Sequence, residues 1–193
     1  MKKILLILLL IPFIGFGQVS TFPWIHDFEN AVGLEQDQND DGDWWLMQGP
    51  TSSFNTGPSG DHTTGSGIYY YVESSNPNYP NKIFTSYTPV FDVSATPGKV
   101  LSFWYHMYGD AMGDLEIAVG DYSIPGTGYT VLNTISGNQG DQWFFAYYPI
   151  PPNVVDSFRI IFKATTGTLY TSDICIDDIM VSDPFNIVFG CMY

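Results

Sequence analysis

The stretch that decides the fold is Gly57-Pro58-Ser59-Gly60-Asp61-His62-Thr63-Thr64-Gly65-Ser66-Gly67, followed directly by Ile68-Tyr69-Tyr70-Tyr71-Val72-Glu73. Four glycines, one proline and several small polar residues within this run are typical of an ordered loop, not of a helix or a strand. The aromatic and β-branched residues that follow are typical of a strand. The stretch therefore predicts a structured loop that leads into an aromatic β-strand.

Short segments of alternating polarity follow this stretch along the chain. Between Lys99 and Tyr108 one face receives Leu101, Phe103, Tyr105 and Met107, and the other receives Ser102, Trp104, His106 and Tyr108. Further strands are predicted at 114–120, 129–135, 143–150, 157–164 and 174–181. No segment after the N-terminal apolar run keeps a helical period of 3.6 over ten residues. The pattern predicts an all-β fold, a jelly-roll β-sandwich of two antiparallel sheets.

The composition fits a secreted domain that is rich in strands. Aromatic residues make up 17% of the chain and charged residues only 13%, and the formal net charge is −14. An acidic chain of this kind repels nucleic acid and anionic membranes, so we expect no nucleic-acid partner. The same charge attracts cations, although a generally soluble acidic surface also explains it.

The N-terminus has the form of a secretory signal peptide. Met1-Lys2-Lys3 precedes an apolar run from Ile4 to Phe16, which at about 13 residues is shorter than the roughly 20 of a membrane-spanning helix. Cleavage is expected after Gly17, giving a signal peptide at 1–17, with a retained anchor as the alternative. We predict a secreted or cell-surface protein without membrane insertion after cleavage. The domain is expected at 22–183, and the short tail at 184–193 either adds a strand or leads into a further region.

Five segments in order resemble the MAM domain family, the extracellular adhesion module of meprins, neuropilins and receptor tyrosine phosphatases. Besides the loop at 57–67, these segments are Trp24-Ile25-His26-Asp27-Phe28-Glu29, Asp40-Asp41-Gly42-Asp43-Trp44, Leu101 to Gly109, Ser136 to Trp143, and Phe158 to Ala164 followed by Asp173 to Ile179. The resemblance implies a non-catalytic adhesion or protein-interaction module that contacts extracellular proteins or neighbouring domains. Because bacterial secreted proteins also carry such modules, a bacterial member is expected.

The cysteines depart from the animal members of this family. Those members carry disulfide bridges near the start and middle of the domain, where this chain has no cysteine. The sequence around Cys175 and Cys191 is compatible with a disulfide bridge or with free thiols. The resemblance favours a buried thiol at Cys175.

Catalytic motifs are absent from the sequence. There is no His-Glu-x-x-His, no Gly-x-Ser-x-Gly, and no Lys following the glycines of the 57–67 loop as phosphate binding would require. We therefore predict that the module is not an enzyme. A glycoside-active hydrolase stays as the third alternative, because its paired carboxylates are recognised only in space.

A structural Ca²⁺ site is predicted among the acids of the first strand, the last strand and the loop. Carboxylate oxygens are the ligands that Ca²⁺ prefers, and the resemblance implies a cation near the Asp-Phe-Glu and Asp-Asp segments. Strict alternation places Asp178 on the inward face with Ile174 and Ile176, where an unpaired acid is costly. The candidates are Glu29, Asp61 and Asp178, with Asp27, Asp43 and Asp177 as secondary ones. A solvated rim of acids is the alternative.

Two further patterns leave alternatives open. Asp37 to Gly42 matches the first half of an EF-hand-like loop, but Gln48 stands where the closing Glu belongs, so a plain acidic turn is favoured. A set of aromatic residues either fills the core or forms a platform for sugar rings: Trp44, Trp45, Tyr69, Tyr70, Tyr71 and Trp143. A carbohydrate-binding jelly-roll module, with glycans as partners, is accordingly the runner-up function.

Overall fold

The structure is a computed structural model that describes residues 18–121 and 128–184. The predicted signal peptide at 1–17 lies outside the described residues, as does the tail after Pro184. Within the described ranges the chain contains strands and no helix. The strands are β1 Trp24–His26, β2 Glu35–Gln36, β3 Trp45–Gln48, β4 Ile68–Val72, β5 Ile83–Tyr87, β6 Phe91–Asp92, β7 Val100–Met107, β8 Asp114–Asp121, β9 Tyr129–Ser136, β10 Phe144–Pro149, β11 Ser157–Thr165 and β12 Ile174–Ser182.

The strands form two antiparallel sheets. The first sheet has the order β10-β7-β12-β4-β3, and β1 pairs with the second half of β12. The second sheet has the order β2-β5-β11-β8-β9, and β6 pairs with the start of β11. Consecutive strands therefore alternate between sheets in several places, which confirms the predicted β-sandwich of two antiparallel sheets.

The core lies between the two sheets and is built from alternate residues of the long central strands. Leu101, Phe103 and Met107 of β7 are fully buried, as are Leu115, Ile117 and Val119 of β8. These are the faces that alternation predicts, because successive side chains of a strand point to opposite sides of the sheet. The short strands β2, β3 and β6 have too few residues to show an alternation of polarity, so the sequence pattern does not predict them.

No helix in the described part of the chain is long and apolar enough to cross a membrane.

Candidate binding surface

The loop at 57–67 lies over the outward face of the first sheet. Its Gly60 carbonyl accepts a hydrogen bond from Trp143 Nε1 at 3.1 Å, and the His62 ring stacks on Trp104 with the ring centroids 3.7 Å apart. Beneath it, Tyr69, Tyr71 and Cys175 form a second, smaller buried cluster. We call residues 57–67 the anchored loop, because its position is fixed by these contacts and by four carboxylates.

Asp61 holds the anchored loop from within. Its carboxylate, only 4% exposed as a residue, accepts hydrogen bonds from the backbone amides of Thr64 and Gly67 and from the Thr64 hydroxyl. Burial alone would raise the pKa of Asp61, but these hydrogen bonds to the ionised form lower it below its usual value. Asp61 is therefore an anion that closes the loop on itself.

Glu29 fixes the far end of the same loop. Its Oε1 accepts a hydrogen bond from the Ile68 amide at 2.8 Å, while the rest of the residue is exposed. A Cβ on Gly67 would stand 2.0 Å from this oxygen and 3.0 Å from Asp61 Cγ. Because position 67 is a glycine, the carboxylates of Glu29 and Asp61 can both approach the same backbone segment closely.

The prediction that Asp178 faces inwards is wrong, because β12 contains a bulge. The pairing of β12 with β7 shifts register between Asp177 and Met180, and Asp178 adopts a φ of 49°. One extra residue at this point reverses the alternation, so that Ile179 and Val181 return to the core. Asp177 is therefore the buried acid, and it lies on the outward face of the sheet beneath the loop. The side chain of Asp178 is 25% exposed.

Both acids of the bulge, Asp177 and Asp178, accept hydrogen bonds from the anchored loop. Asp177 Oδ2 accepts the His62 amide at 2.9 Å, and Asp178 Oδ2 lies 2.7 Å from His62 Nδ1 and 2.6 Å from Thr63 Oγ1. Burial, followed by the charges of Asp178 and Asp61, raises the pKa of Asp177 to about 8. His62 therefore connects the anchored loop to both acids through its backbone amide and its ring.

Of the predicted metal-binding acids, Glu29, Asp61, Asp177 and Asp178 meet the anchored loop. Within residues 18–121 and 128–184, no three His, Cys, Asp or Glu side chains converge in a way that could hold a metal ion. Ca²⁺ takes six to eight oxygen ligands, whereas oxygens of Asp61, Asp177 and Asp178 already accept hydrogen bonds from the loop. Asp27 caps the Glu29 amide at 3.2 Å, and Asp43 is exposed in the turn before β3.

The half motif at 37–42 is a plain acidic turn docked on β5. Asp40 accepts a hydrogen bond from the Thr85 amide, Asp41 accepts from the Ile83 amide and lies 2.9 Å from Lys82 Nζ, and Asp37 accepts from the Asn39 amide at 2.8 Å. These bonds hold the turn against β5.

Strand pairing brings together a cysteine, a histidine and an aspartate that the sequence keeps apart. Cys175 on β12 is opposite His106 on β7, and His106 Nε2 lies 3.2 Å from Asp141 Oδ1. Both Cys175 and His106 are enclosed beneath the anchored loop, and burial raises the pKa of the Cys175 thiol well above its usual value. The thiol is therefore a buried, protonated free cysteine and not an accessible nucleophile. Cys191 lies outside the described residues.

Several exposed apolar side chains lie at another place, which we call the open edge: strands β9 and β10, the neighbouring edge strands of the two sheets. Their outward positions carry Tyr129, Val131, Phe145 and Tyr147, with exposures between 41% and 50%. Of the aromatic residues proposed from sequence as a platform, Trp44 and Tyr69 to Tyr71 are buried and Trp45 is exposed. The sequence signal for this surface is the run Phe144 to Tyr148, in which four of five residues are aromatic, so that aromatic side chains occupy both faces of the strand.

A cleft of about 480 Å³ lies along the open edge. Its lining residues come from both strands, from the connection between them and from β7, and include Tyr105, Asn133, Ser136, Gln139, Tyr147 and Tyr148. Asn133 Nδ2 donates a hydrogen bond to Tyr148 Oη at 2.8 Å and so links the two sheets across the edge. The open edge thus combines exposed aromatic rings with neutral hydrogen-bonding groups in one concave surface.

Solved structures with the same fold include binding modules. The K1 cleaved adhesin domain of Lys-gingipain from Porphyromonas gingivalis W83 superimposes with a TM-score of 0.58 at 16% identity, covering 84% of this chain and 99% of that one. The TmCBM61 structure in complex with beta-1,4-galactotriose gives a TM-score of 0.52 at 12% identity, covering 81% and 94%. At these identities the likeness is one of fold.

Sequence relatives define the family. MAM domain-containing glycosylphosphatidylinositol anchor protein 1 of Rattus norvegicus is 37% identical over 156 residues, which are 78% of this chain and 16% of that protein. Neuropilin-1a of Danio rerio is 29% identical over 167 residues, covering 86% and 17%. The chain thus spans only about a sixth of the length of these relatives. Residues 26–184 match the family model described as "MAM domain, meprin/A5/mu", and the chain therefore belongs to the MAM domain family.

Proposed function

We propose that this chain is a non-catalytic extracellular interaction module that binds its partner through the open edge. The observation that carries the proposal is the exposure of Phe145 and Tyr147 on β10, which line one concave surface together with residues 133–136 of β9. Exposed apolar patches of this kind on a soluble domain mark interaction sites. The polar groups of the anchored loop, in contrast, are occupied by one another.

The relatives support an extracellular role. One carries a glycosylphosphatidylinositol anchor by name, and the Lys-gingipain domain is by its title an adhesin domain. The signal peptide predicted at 1–17 fits the same location, and bacterial origin stays a prediction. Binding without catalysis fits the enclosed state of Cys175 and His106, which leaves this pair without access to a substrate.

The Ca²⁺ ion stays a prediction from the sequence. Carboxylates of Glu29, Asp61 and Asp178 surround the anchored loop, and an ion that binds only the folded state would raise its stability by mass action. Thermal unfolding of the chain with Ca²⁺ and with a chelator, at fixed ionic strength, tests it. A rise in the midpoint that Glu29→Gln or Asp178→Asn reduces supports the ion. An unchanged midpoint leaves these acids as anchors of the loop alone.

Bead attachment tests the proposed function. Beads coated with the full chain are exposed to surfaces that carry collagen, fibronectin, mucin or the chain itself. We expect attachment to at least one surface and its loss in the double variant Phe145→Ser, Tyr147→Ser. The matched control is Trp45→Ser, which removes an even more exposed aromatic residue (59%) from the opposite edge strand of the same sheet. Equal attachment of all three proteins would contradict the assignment to the open edge.

A further inference from the structure

The cleft of the open edge differs in charge from the rest of the molecule. The chain has a net charge of −14, yet every described residue that lines the cleft is uncharged: Tyr105, Asn133, Thr134, Ile135, Ser136, Gln139, Phe145, Ala146, Tyr147 and Tyr148. A cationic ligand would be attracted over distance but would find no carboxylate inside, and an anionic ligand would be repelled. The lining therefore fits an uncharged ligand.

The lining groups fit a ligand with many hydroxyls. The side-chain amide of Asn133 offers a donor and an acceptor, that of Gln139 offers its carbonyl oxygen as an acceptor, and Tyr147, Tyr148 and Ser136 add hydroxyls. The exposed lining of the cleft is mainly polar, and the half-exposed rings of Phe145 and Tyr147 add apolar faces that can pack against carbon-bound hydrogens. A volume of about 480 Å³ lies within the roughly 300–1,000 Å³ of small-molecule sites. These are the requirements of a sugar, whose rings carry hydroxyls at the rim and apolar C–H groups on the faces.

The cleft is also preorganised. The hydrogen bond from Asn133 to Tyr148 fixes both side chains across the edge, and Gln139 Nε2 donates to the carbonyls of Ser136 and Gly137 at 2.9 and 3.1 Å. Side chains that are already fixed lose less conformational freedom when a ligand binds. The polar part of the cleft therefore presents a defined pattern of donors and acceptors.

An extended peptide is another ligand that could bind an open sheet edge, by adding a strand to it. Both edge strands are poorly suited to such pairing. The pairing of β9 with β8 shifts register between Ile117 and Ala118, leaving Leu132 as an extra residue in the edge strand. β10 ends at Pro149, and Pro151 and Pro152 follow. Bulges and prolines are features that protect sheet edges from strand addition.

From these observations we infer that the cleft between β9 and β10 is a binding site for a neutral glycan, with Asn133, Gln139, Tyr147 and Tyr148 as its contact residues. The inference rests on the proposed function and names the chemical class of its partner. Neutral residues of a polysaccharide or of a glycoprotein chain meet the same requirements.

Affinity electrophoresis of the full chain tests the inference. The gels contain neutral galactan, xylan, β-glucan or mannan, and a gel with polygalacturonate provides a charged counterpart. We expect at least one neutral polysaccharide to retard the chain and polygalacturonate not to do so. Asn133→Ala and Tyr147→Ala each weaken the retardation about tenfold or more, because each removes a direct contact. Trp45→Ala retains it, and unfolding midpoints confirm that all variants are folded.

The outcomes separate this inference from the proposed function. If no neutral polysaccharide binds while beads still attach through the open edge to a surface whose glycans have been removed enzymatically, the partner is a protein, and the glycan inference is wrong although the function stands. If a polysaccharide binds equally to wild type, Asn133→Ala and Tyr147→Ala, the site lies elsewhere. If neither gels nor beads show binding, both proposals fail.

Discussion

The anchored loop and the open edge lie on the same β-sandwich and differ in how their side chains are used. In the anchored loop, Asp61 and Asp177 are buried and accept hydrogen bonds from backbone amides. At the open edge, Phe145 and Tyr147 are exposed and the lining groups of the cleft are neutral. The segment with the most distinctive sequence therefore stabilises the fold, whereas a less distinctive edge is free to bind.

This comparison predicts a large loss of stability when the loop is released. Asp61→Ala leaves the Thr64 amide and the buried Gly67 amide without their acceptor, and we expect the free energy of unfolding to fall by roughly 3–4 kcal/mol. Chemical denaturation measures it. Asp61→Asn, which keeps one acceptor oxygen, is the matched control and should lose about half as much. Losses below about 0.5 kcal/mol would show that the loop is not held by this carboxylate.

A second test uses the buried acid beneath the start of the loop. Burial raises the pKa of Asp173 to about 6, and its Oδ2 makes no hydrogen bond in the described part of the chain. Because the folded pKa lies above the unfolded value of 3.8, the protein stabilises the protonated form. The free energy of unfolding should therefore fall as pH rises from about 4 to 6, by on the order of 2–3 kcal/mol from this group.

Asp173→Asn removes this titration while retaining an acceptor for the Ser74 amide and hydroxyl. The variant should be more stable than wild type at pH 7, and the difference between the two proteins should vanish towards pH 4. Denaturation curves at several pH values measure both slopes. Parallel slopes in the two proteins would contradict a raised pKa at this position.

A third and smaller effect is expected at the glycine where two carboxylates meet. Gly67→Ala forces Glu29 away from the Ile68 amide and should cost about 1–2 kcal/mol. Gly128→Ala is the matched control, because a Cβ there meets no atom within 4 Å. Denaturation of both variants makes the comparison, and equal losses would show that close approach at position 67 is not limiting.

The smallest change in stability is expected at the open edge. Tyr147→Ser removes an exposed ring and should change the free energy of unfolding by less than about 0.5 kcal/mol. The same protein should lose attachment in the bead assay, whereas Gly67→Ala should retain it. Loss of stability without loss of attachment in Tyr147→Ser would reverse the roles assigned to the two regions.

Local alternation was enough to predict most of the core. Residues such as Leu101, Phe103 and Leu115 face inwards because period-two polarity is a property of each strand by itself. The same rule failed at Asp178, because a bulge depends on how β12 pairs with β7 and not on the polarity of β12. The candidate acids were correctly brought to one loop, but their division into buried anchor and exposed partner was not predictable.

By itself, the sequence determined the family, the two-sheet sandwich and the presence of an ordered loop at 57–67. These features depend on residue types at short spacing, which local sterics and side-chain alternation translate directly into structure. Only the tertiary structure decided that Asn133 meets Tyr148 across the open edge and that Cys175 is sealed opposite His106. Such contacts join residues far apart in the chain, and their distances are set by which strands become neighbours when the sheets assemble.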